Sequence, residues 1–252
     1  MGKLENKIAI VTGGNSGIGK ATAKRFLEEG ATVIIACRRA DENQKTVDEF
    51  SSLGEITAIT ADVTKQEDCH KIVDEVIAKY GRIDILVNDA GIADKHKPIT
   101  KCDEDWYDFV CKEDQYSIYY MCKYALPHME KANFGHIINV SSIGSQGVAG
   151  ISYSAAKAAV NGMTKNIAIQ YARTPITCNA VAPGPTPTPL NAPEAAATFD
   201  GEFAAECGKH IDTTLPEAQD YDQAACIAFL ASEDARAING QIIYVDHGTS
   251  LY

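Results

Sequence analysis

The sequence lacks several features that define other classes of protein. No apolar run approaches the roughly 18 residues that a bilayer-spanning helix needs, and residues 1–7 are polar, without the apolar core of a signal peptide. No Pro/Gly/Ser-rich linker divides the 252 residues, so we expect a single domain over residues 1–252. The expectation is therefore a cytoplasmic protein with no membrane partner.

Positive charge is also scarce, with 23 Lys and Arg against 34 Asp and Glu and a net charge of −11. Because nucleic-acid phosphates need a positive surface, we expect no nucleic-acid partner and favour a small-molecule substrate. The eight cysteines include no Cys-x-x-Cys pair and no paired histidine ligands. We therefore expect reduced thiols, several of them in the core, and no metal site.

A glycine-rich turn lies between a predicted strand at residues 7–12 and a predicted helix at residues 20–29. The turn reads Gly13-Gly14-Asn15-Ser16-Gly17-Ile18-Gly19, and a second apolar strand follows at residues 32–36. Such glycines let the backbone approach a pyrophosphate at the positive end of a helix. This βαβ pattern predicts a parallel α/β sheet that binds a dinucleotide.

The rest of the chain continues the alternation of buried strands and helices. We predict strands at residues 56–60, 83–87, 135–140 and 176–181, and helices at residues 40–53, from residue 65, 104–129 and 153–171. In a parallel sheet the carboxyl ends of the strands form the ligand crevice. Gly13, Asn88, Ser142 and Pro183 are all expected at that edge.

Tyr153 and Lys157 stand four positions apart, on one face of the predicted helix. An ammonium group near the phenol lowers the pKa of the phenol and makes it a usable proton donor or acceptor. The pair Ser141-Ser142 follows the strand at residues 135–140, which brings a hydroxyl to the same edge of the sheet.

The spacing Thr12-Gly13-x-x-x-Gly17-x-Gly19, with Tyr153 and Lys157, resembles the short-chain dehydrogenase/reductase family over essentially the whole chain. The resemblance implies a doubly wound Rossmann-type sheet and NAD(P)-dependent interconversion of a secondary alcohol and a ketone. It implies that Tyr153 transfers the proton, Lys157 assists it and Ser142 binds the substrate oxygen, with Ser141 as the rival. Asp114, thirteen positions before Pro127, stands where the family's catalytic asparagine is usual.

The same resemblance implies the residues that hold the cofactor, and Asp89 stands where a second asparagine is usual. Asp62 could equally cap the helix near residue 65. The implied contacts run from the pyrophosphate through adenine and ribose to the nicotinamide: Gly13, Asn15, Ser16, Gly17, Ile18 and Gly19; Asp62 and Val63; Asn88, Ala90 and Gly91; Tyr153 and Lys157; and Pro183, Gly184, Thr186 and Thr188.

The choice of cofactor depends on the residues after the second strand. Enzymes that select NAD usually place an acid there for the ribose 2′-hydroxyl, whereas this chain has Cys37 followed by Arg38 and Arg39. A guanidinium can pair with a 2′-phosphate. NADP(H) is therefore favoured, with NAD(H) as the alternative.

The substrate stays open between several classes. Residues 127–131 and 166–173 look similar to bacterial hydroxysteroid dehydrogenases acting on bile acids. A 3-oxoacyl thioester reductase, a sugar or polyol dehydrogenase, and a dinucleotide-binding sensor without turnover are the alternatives. Residues 190–216 are expected to form a substrate lid. The resemblance also implies a homo-oligomer, a tetramer or a dimer, with the helix that carries Tyr153 at an interface.

Overall fold

Seven parallel strands form one sheet in the computed structural model, which describes residues 2–92 and 95–251. The strand order is β3-β2-β1-β4-β5-β6-β7, so the chain reverses its direction of winding between β3 and β4. This arrangement confirms the predicted doubly wound α/β fold. The strands are β1 (Ile8–Thr12), β2 (Thr32–Cys37), β3 (Ile56–Thr60), β4 (Ile85–Asn88), β5 (Gly135–Val140), β6 (Ile176–Pro183) and β7 (Ile242–Val245).

Helices cover both faces of the sheet, which explains why its central strands are apolar at every position. Along β1, Ile8 and Ile10 face a core that includes residues of α3, α5 and α6, while Ala9 and Val11 face residues of α1 and α9. The helices are α1 (Gly17–Glu28), α2 (Ala40–Phe50), α3 (Gln66–Tyr80), α4 (Glu104–Cys111), α5 (Ser117–Ala132), α6 (Ile151–Gln170), α7 (Pro193–Ala196), α8 (Gly201–Cys207) and α9 (Asp220–Leu230).

The single helix predicted over residues 104–129 is wrong in two respects. A π-helical turn, Lys112–Tyr116, separates α4 from α5, and α5 continues past Pro127 to Ala132. The helix ends at Asn133, whose φ of 50° is left-handed. A π turn inserts one residue into the helical repeat, and such turns occur frequently at functional sites. Glu113 and Asp114, both within the turn, are buried.

The other predicted elements differ from the structure mainly at their ends. Strands β3 and β5 coincide with residues 56–60 and 135–140, whereas β4 begins at Ile85 and β6 continues to Pro183. Within the described residues no helix is long and apolar enough to cross a membrane. The same part of the chain contains no cluster of His, Cys, Asp or Glu side chains that could hold a metal ion.

Candidate active site

A cleft of about 780 Å³ lies at the edge of the sheet where the strands end. The loops after β1, β2, β4, β5 and β6 all contribute to its lining, as expected for a parallel sheet. Of the residues predicted for the site, all but Gly19, Asp62 and Asn88 line this cleft.

Helix α6 brings Tyr153 and Lys157 to one end of the cleft. The Nζ atom of Lys157 lies 5.4 Å from the centre of the Tyr153 ring and donates a hydrogen bond of 3.2 Å to the carbonyl of Val140. The Lys157 side chain is only 5% exposed and lies 3.1 Å from Oδ1 of Asp114. Burial lowers the pKa of Lys157, but the nearby groups Asp114, Tyr153 and Asp89 outweigh burial and raise it above its ordinary value.

Asp114 reaches the site from the π turn, and it is fully buried. Its Oδ1 atom accepts a hydrogen bond of 3.4 Å from the backbone of Ile92. A side chain at Gly91 would collide with that same oxygen, so a glycine is needed where the loop passes the carboxylate. The carboxylate is therefore fixed between the loop after β4 and the ammonium of Lys157.

The two candidate serines have different surroundings. Ser141 is buried, and its hydroxyl donates to the carbonyl of Lys157 at 3.4 Å. Ser142 is half-buried, and its Oγ accepts a hydrogen bond of 3.0 Å from the backbone of Gly144. An oxygen that accepts from the backbone keeps its own hydrogen available for a ligand. This arrangement favours Ser142 as the hydroxyl that faces the cleft.

The glycine loop fits the pyrophosphate of a dinucleotide. Gly13 and Gly17 have φ values of 71° and 49°, which L side chains rarely adopt, and a Cβ on Gly13 would lie 3.0 Å from the backbone of Ala90. Ser16 precedes α1 without a side-chain cap, and the first turn contains no acid. Neither the N-cap side chain nor an acid of the first turn therefore competes for the first amides of α1, which suits an anion site at a helix N-terminus.

Asp89 places a carboxylate against this loop. A Cβ on Gly19 would lie 2.5 Å from Oδ2 of Asp89, which explains why only glycine fits there. The backbone N–H groups of Asp89 and Ala90 both donate to the Thr12 hydroxyl at 3.1 Å. Burial raises the pKa of Asp89 to about 7, although Lys157 and the N–H of Gly19 act in the opposite direction.

Arg38 and Arg39 lie at the other end of the cleft, after β2, together with Val63. Arg38 is 51% exposed, and its Nη1 atom lies 2.5 Å from Oε1 of Glu113, a side chain only 4% exposed. No sequence pattern indicates this pair, because its members are 75 positions apart. A cation for a phosphate is present at this end, but a buried carboxylate already binds it.

Two further predicted residues, Asp62 and Asn88, do not line the cleft. The Asn88 amide is buried and donates to Oδ1 of Asn139 at 2.8 Å, which ties β4 to β5. Asp62 accepts hydrogen bonds from the backbone and hydroxyl of Thr64. The N-cap of α3 is Lys65, without a side-chain bond, so Asp62 does not cap that helix.

The loop after β6 closes the cleft above the glycine turn. Pro183 ends the strand, and a Cβ on Gly184 would lie 2.5 Å from the Cβ of Asp246. The Thr186 hydroxyl is buried and donates to the carbonyl of Gly184 at 3.1 Å. Thr188 packs near Gly17, so this loop and the glycine turn approach each other across the cleft.

The region expected to be a lid folds into short helices, including α7 and α8, beside the loop after β4. Phe199 packs against His96 with ring centroids 4.5 Å apart and the ring planes tilted by 41°, and both side chains line the cleft. Asp200 donates its backbone N–H to the carbonyl of Lys95 and pairs with Lys101 at 2.7 Å. The sequence did not single out these contacts, because the lid and this loop are distant along the chain.

Comparison with known proteins agrees with this geometry. Residues 13–250 match a family model described as "Enoyl-(Acyl carrier protein) reductase". The chain is 36% identical to a 3beta-hydroxysteroid dehydrogenase 2 of Eggerthella lenta, over 99% of this chain and 96% of the relative. It is 37% identical to a 3-oxoacyl-(acyl-carrier-protein) reductase of Thermotoga maritima, over 98% of each chain.

A solved structure agrees as well. The crystal structure of levodione reductase superposes with a TM-score of 0.90 at 28% identity, covering 98% of this chain and 99% of that one. Sequence similarity over nearly the whole length and the same arrangement of the sheet lead to one conclusion. The chain belongs to the short-chain dehydrogenase/reductase family, as an oxidoreductase of the CH–OH group that uses NAD(P)(H).

Proposed function

We propose that the protein interconverts a secondary alcohol and a ketone on a hydroxysteroid or bile acid, with NADP(H) favoured over NAD(H). The observation that carries the proposal is the buried ammonium of Lys157, 5.4 Å from the centre of the Tyr153 ring at the carboxyl edge of the sheet. A cation beside a phenol at this edge supports proton transfer to a ketone oxygen, because it stabilises the ionised phenol.

The chain's own residues divide the reaction between them. The Ser142 hydroxyl orients the carbonyl oxygen of the substrate, and the Tyr153 phenol donates the proton during reduction and accepts it during oxidation. Lys157 stabilises the negative charge that develops on the phenol, and Asp114 holds the ammonium in place at 3.1 Å. When bound, the nicotinamide ring supplies or accepts the hydride.

The part of the cleft beyond Tyr153 favours an apolar substrate. Its lining contains the aromatic pair His96 and Phe199 and one acid, Glu217. The other side chains are apolar: Ile92, Val148, Ala149, Leu190 and Ile211. Apolar walls with a few polar groups suit a rigid ring system better than a polyhydroxylated sugar. The relatives named as 3beta- and 7alpha-hydroxysteroid dehydrogenases support the same class.

The preference for NADP(H) is supported by the end of β2. Cys37 is the last residue of that strand, so no acid stands there to hold a ribose 2′-hydroxyl. Arg38 and Arg39, both exposed at the cleft, provide guanidinium groups for a 2′-phosphate.

A 3-oxoacyl thioester is the second candidate substrate, because the Thermotoga maritima relative bears that name. Docking of an acidic acyl carrier needs a basic surface, and the net charge of −11 disfavours it. A sugar or polyol would need more hydroxyl and amide partners than the lining offers.

The experiment follows the absorbance of the reduced cofactor with ketosteroids, β-ketoacyl thioesters and sugars. We expect turnover with ketosteroids, and a loss of about 10²–10⁴-fold in kcat for Tyr153→Phe, while the affinity for NADP(H) changes little. An active Tyr153→Phe variant would contradict the proposed role. Cofactor binding without turnover of any substrate would instead favour a dinucleotide sensor.

We also propose that the chain forms a homodimer or homotetramer. Several large side chains are exposed on four neighbouring helical elements: Phe109 on α4, Tyr116 in the π turn, Tyr119 on α5 and Ile169 on α6. Exposed apolar groups of this kind mark interfaces when they are contiguous. Light scattering on the purified protein measures the assembly directly, and a monomer at micromolar concentration would contradict the proposal.

A further inference from the structure

The adenosine end of the cleft contains a buried acid that the proposed reaction does not use. Glu113 is only 4% exposed, and in the described part of the chain its one ion pair is with Arg38. Both side chains line the cleft beside Ala61 and Val63. The carboxylate therefore lies next to the place where the adenosine of a dinucleotide binds.

The pair is unequal, because the acid is buried and the base is not. Burial raises the pKa of Glu113, Arg38 lowers it, and the nearby acids Asp62 and Asp114 raise it further. A buried carboxylate that loses its cation carries a desolvation penalty. Arg38 is therefore the group that keeps Glu113 charged, while the exposed half of its guanidinium can turn toward another anion.

A 2′-phosphate on the cofactor would compete for this same cation. The guanidinium that pairs with the phosphate must either leave Glu113 or divide its donors between two anions. A doubly negative phosphate also repels a nearby carboxylate. NAD(H) has no such phosphate, so its binding leaves the ion pair of Arg38 and Glu113 intact.

We propose that Glu113 is a specificity-determining residue, which competes with the cofactor's 2′-phosphate for Arg38 and so holds down the preference for NADP(H) over NAD(H). The proposal rests on the proposed cofactor site and deepens it. Arg39 is exposed at the same end and has no ion pair within the described residues, so it is the phosphate partner that Glu113 does not compete for.

The test measures binding of two cofactor fragments that cannot react, adenosine 2′,5′-bisphosphate and adenosine 5′-monophosphate. Titration calorimetry on the full chain compares the wild type with Glu113→Gln, which keeps the shape of the side chain and removes its charge. We expect the affinity for the bisphosphate to rise about 5-fold or more, and that for the monophosphate to change less than about 2-fold. The matched control is Glu28→Gln, whose glutamate pairs with Lys24 outside the cleft.

A second arm separates competition from simple repulsion. In an Arg38→Met background, Glu113→Gln should change the ratio of the two affinities by less than about 2-fold, because the contested cation is gone. If Glu113→Gln changes the ratio of the two affinities as much in the Arg38→Met background as in the wild type, Glu113 does not compete for Arg38. An unchanged ratio when Glu113→Gln is introduced into the wild type would also contradict the proposal.

The outcomes also distinguish this proposal from the proposed cofactor preference. A wild type that prefers the bisphosphate, with an unchanged Glu113→Gln variant, overturns the role of Glu113 alone. A wild type without preference, whose Glu113→Gln variant acquires one, overturns the NADP(H) preference and supports the role of Glu113.

Discussion

Each end of the cleft contains an ion pair, and the two acids are neighbours in the π turn. At the Tyr153 end, Asp114 lies 3.1 Å from Lys157, with side-chain exposures of 1% and 5%. At the end formed by the loop after β2, Glu113 lies 2.5 Å from Arg38, with exposures of 4% and 51%. The pair of Arg38 and Glu113 is shorter but easier to separate. Because Arg38 is half exposed, water or a phosphate can replace Glu113 as the partner of its guanidinium.

Burial of the cation, more than the distance between the paired atoms, distinguishes the two ion pairs. Lys157 is almost fully buried and lies between Asp114 and the Val140 carbonyl, which suits a group that must stay in one place during proton transfer. Arg38 keeps half of its surface in water and can follow a ligand. A single π turn thus supplies one fixed pair and one exchangeable pair.

The largest effect is expected from breaking the fixed pair with Lys157→Met. Removal of the ammonium takes the cation at 3.1 Å away from the buried Asp114 carboxylate, which costs about 3–5 kcal/mol of unfolding free energy at pH 8. It also removes the cation beside Tyr153, so kcat should fall by about 10²–10⁴-fold. Urea unfolding and steady-state kinetics measure the two losses.

The control for that experiment is the double variant Lys157→Met/Asp114→Asn. It should recover most of the lost stability, because no charge is left unpaired, while its activity stays low. If Lys157→Met alone unfolds at the same urea concentration as the wild type, burial of the cation does not set the strength of the pair.

The second effect concerns Asp89, a cleft acid that has no ion pair within the described residues. Its pKa is 3.8 in the unfolded chain and about 7 in the folded one. Between these values the folded state holds a proton that the unfolded state has released, so stability falls as pH rises from about 4 to about 7. The full difference corresponds to up to about 4 kcal/mol.

Asp89→Asn should remove this penalty. Without cofactor, we expect the variant to be more stable than the wild type by a margin that grows between pH 5 and pH 8. Urea unfolding at several pH values tests this, with Asp105→Asn, an exposed acid in the first turn of α4, as the matched control. A margin that stays constant with pH would show that Asp89 remains ionised throughout.

The strands, the glycine turn and the Tyr153–Lys157 pair were predicted well from the sequence, because each depends on a local pattern of residues. The continuous apolar runs predicted the positions of the strands, and β3 and β5 have the predicted bounds. The glycine turn after β1 and the spacing of Tyr153 and Lys157 depend on neighbouring residues only, so the family pattern placed them at the cleft.

The electrostatics of the site could not be predicted in the same way. Helical propensity gave no sign of the π turn, which inserts a residue and directs both Glu113 and Asp114 into buried positions. The pairing of Arg38 with Glu113 joins residues 75 positions apart. Asn88, expected at the cofactor, instead donates to Asn139 on the next strand, a contact that only the order of the strands determines.

The smallest effect is expected from breaking the exchangeable pair with Arg38→Met. The cation is half exposed, so its loss should lower the unfolding free energy by about 1 kcal/mol at pH 8. The pKa of Glu113, already raised by burial, should rise further without Arg38, so the loss should shrink toward pH 5 as the acid takes up a proton. Urea unfolding at both pH values measures the loss, and Arg25→Met, which breaks an exposed pair with Glu29, is the control. Glu113 and Asp114 are both almost fully buried. A loss of stability as large as that of Lys157→Met would therefore mean that burial of the acid alone sets the cost of breaking the pair. The distinction between a fixed and an exchangeable pair would then fail.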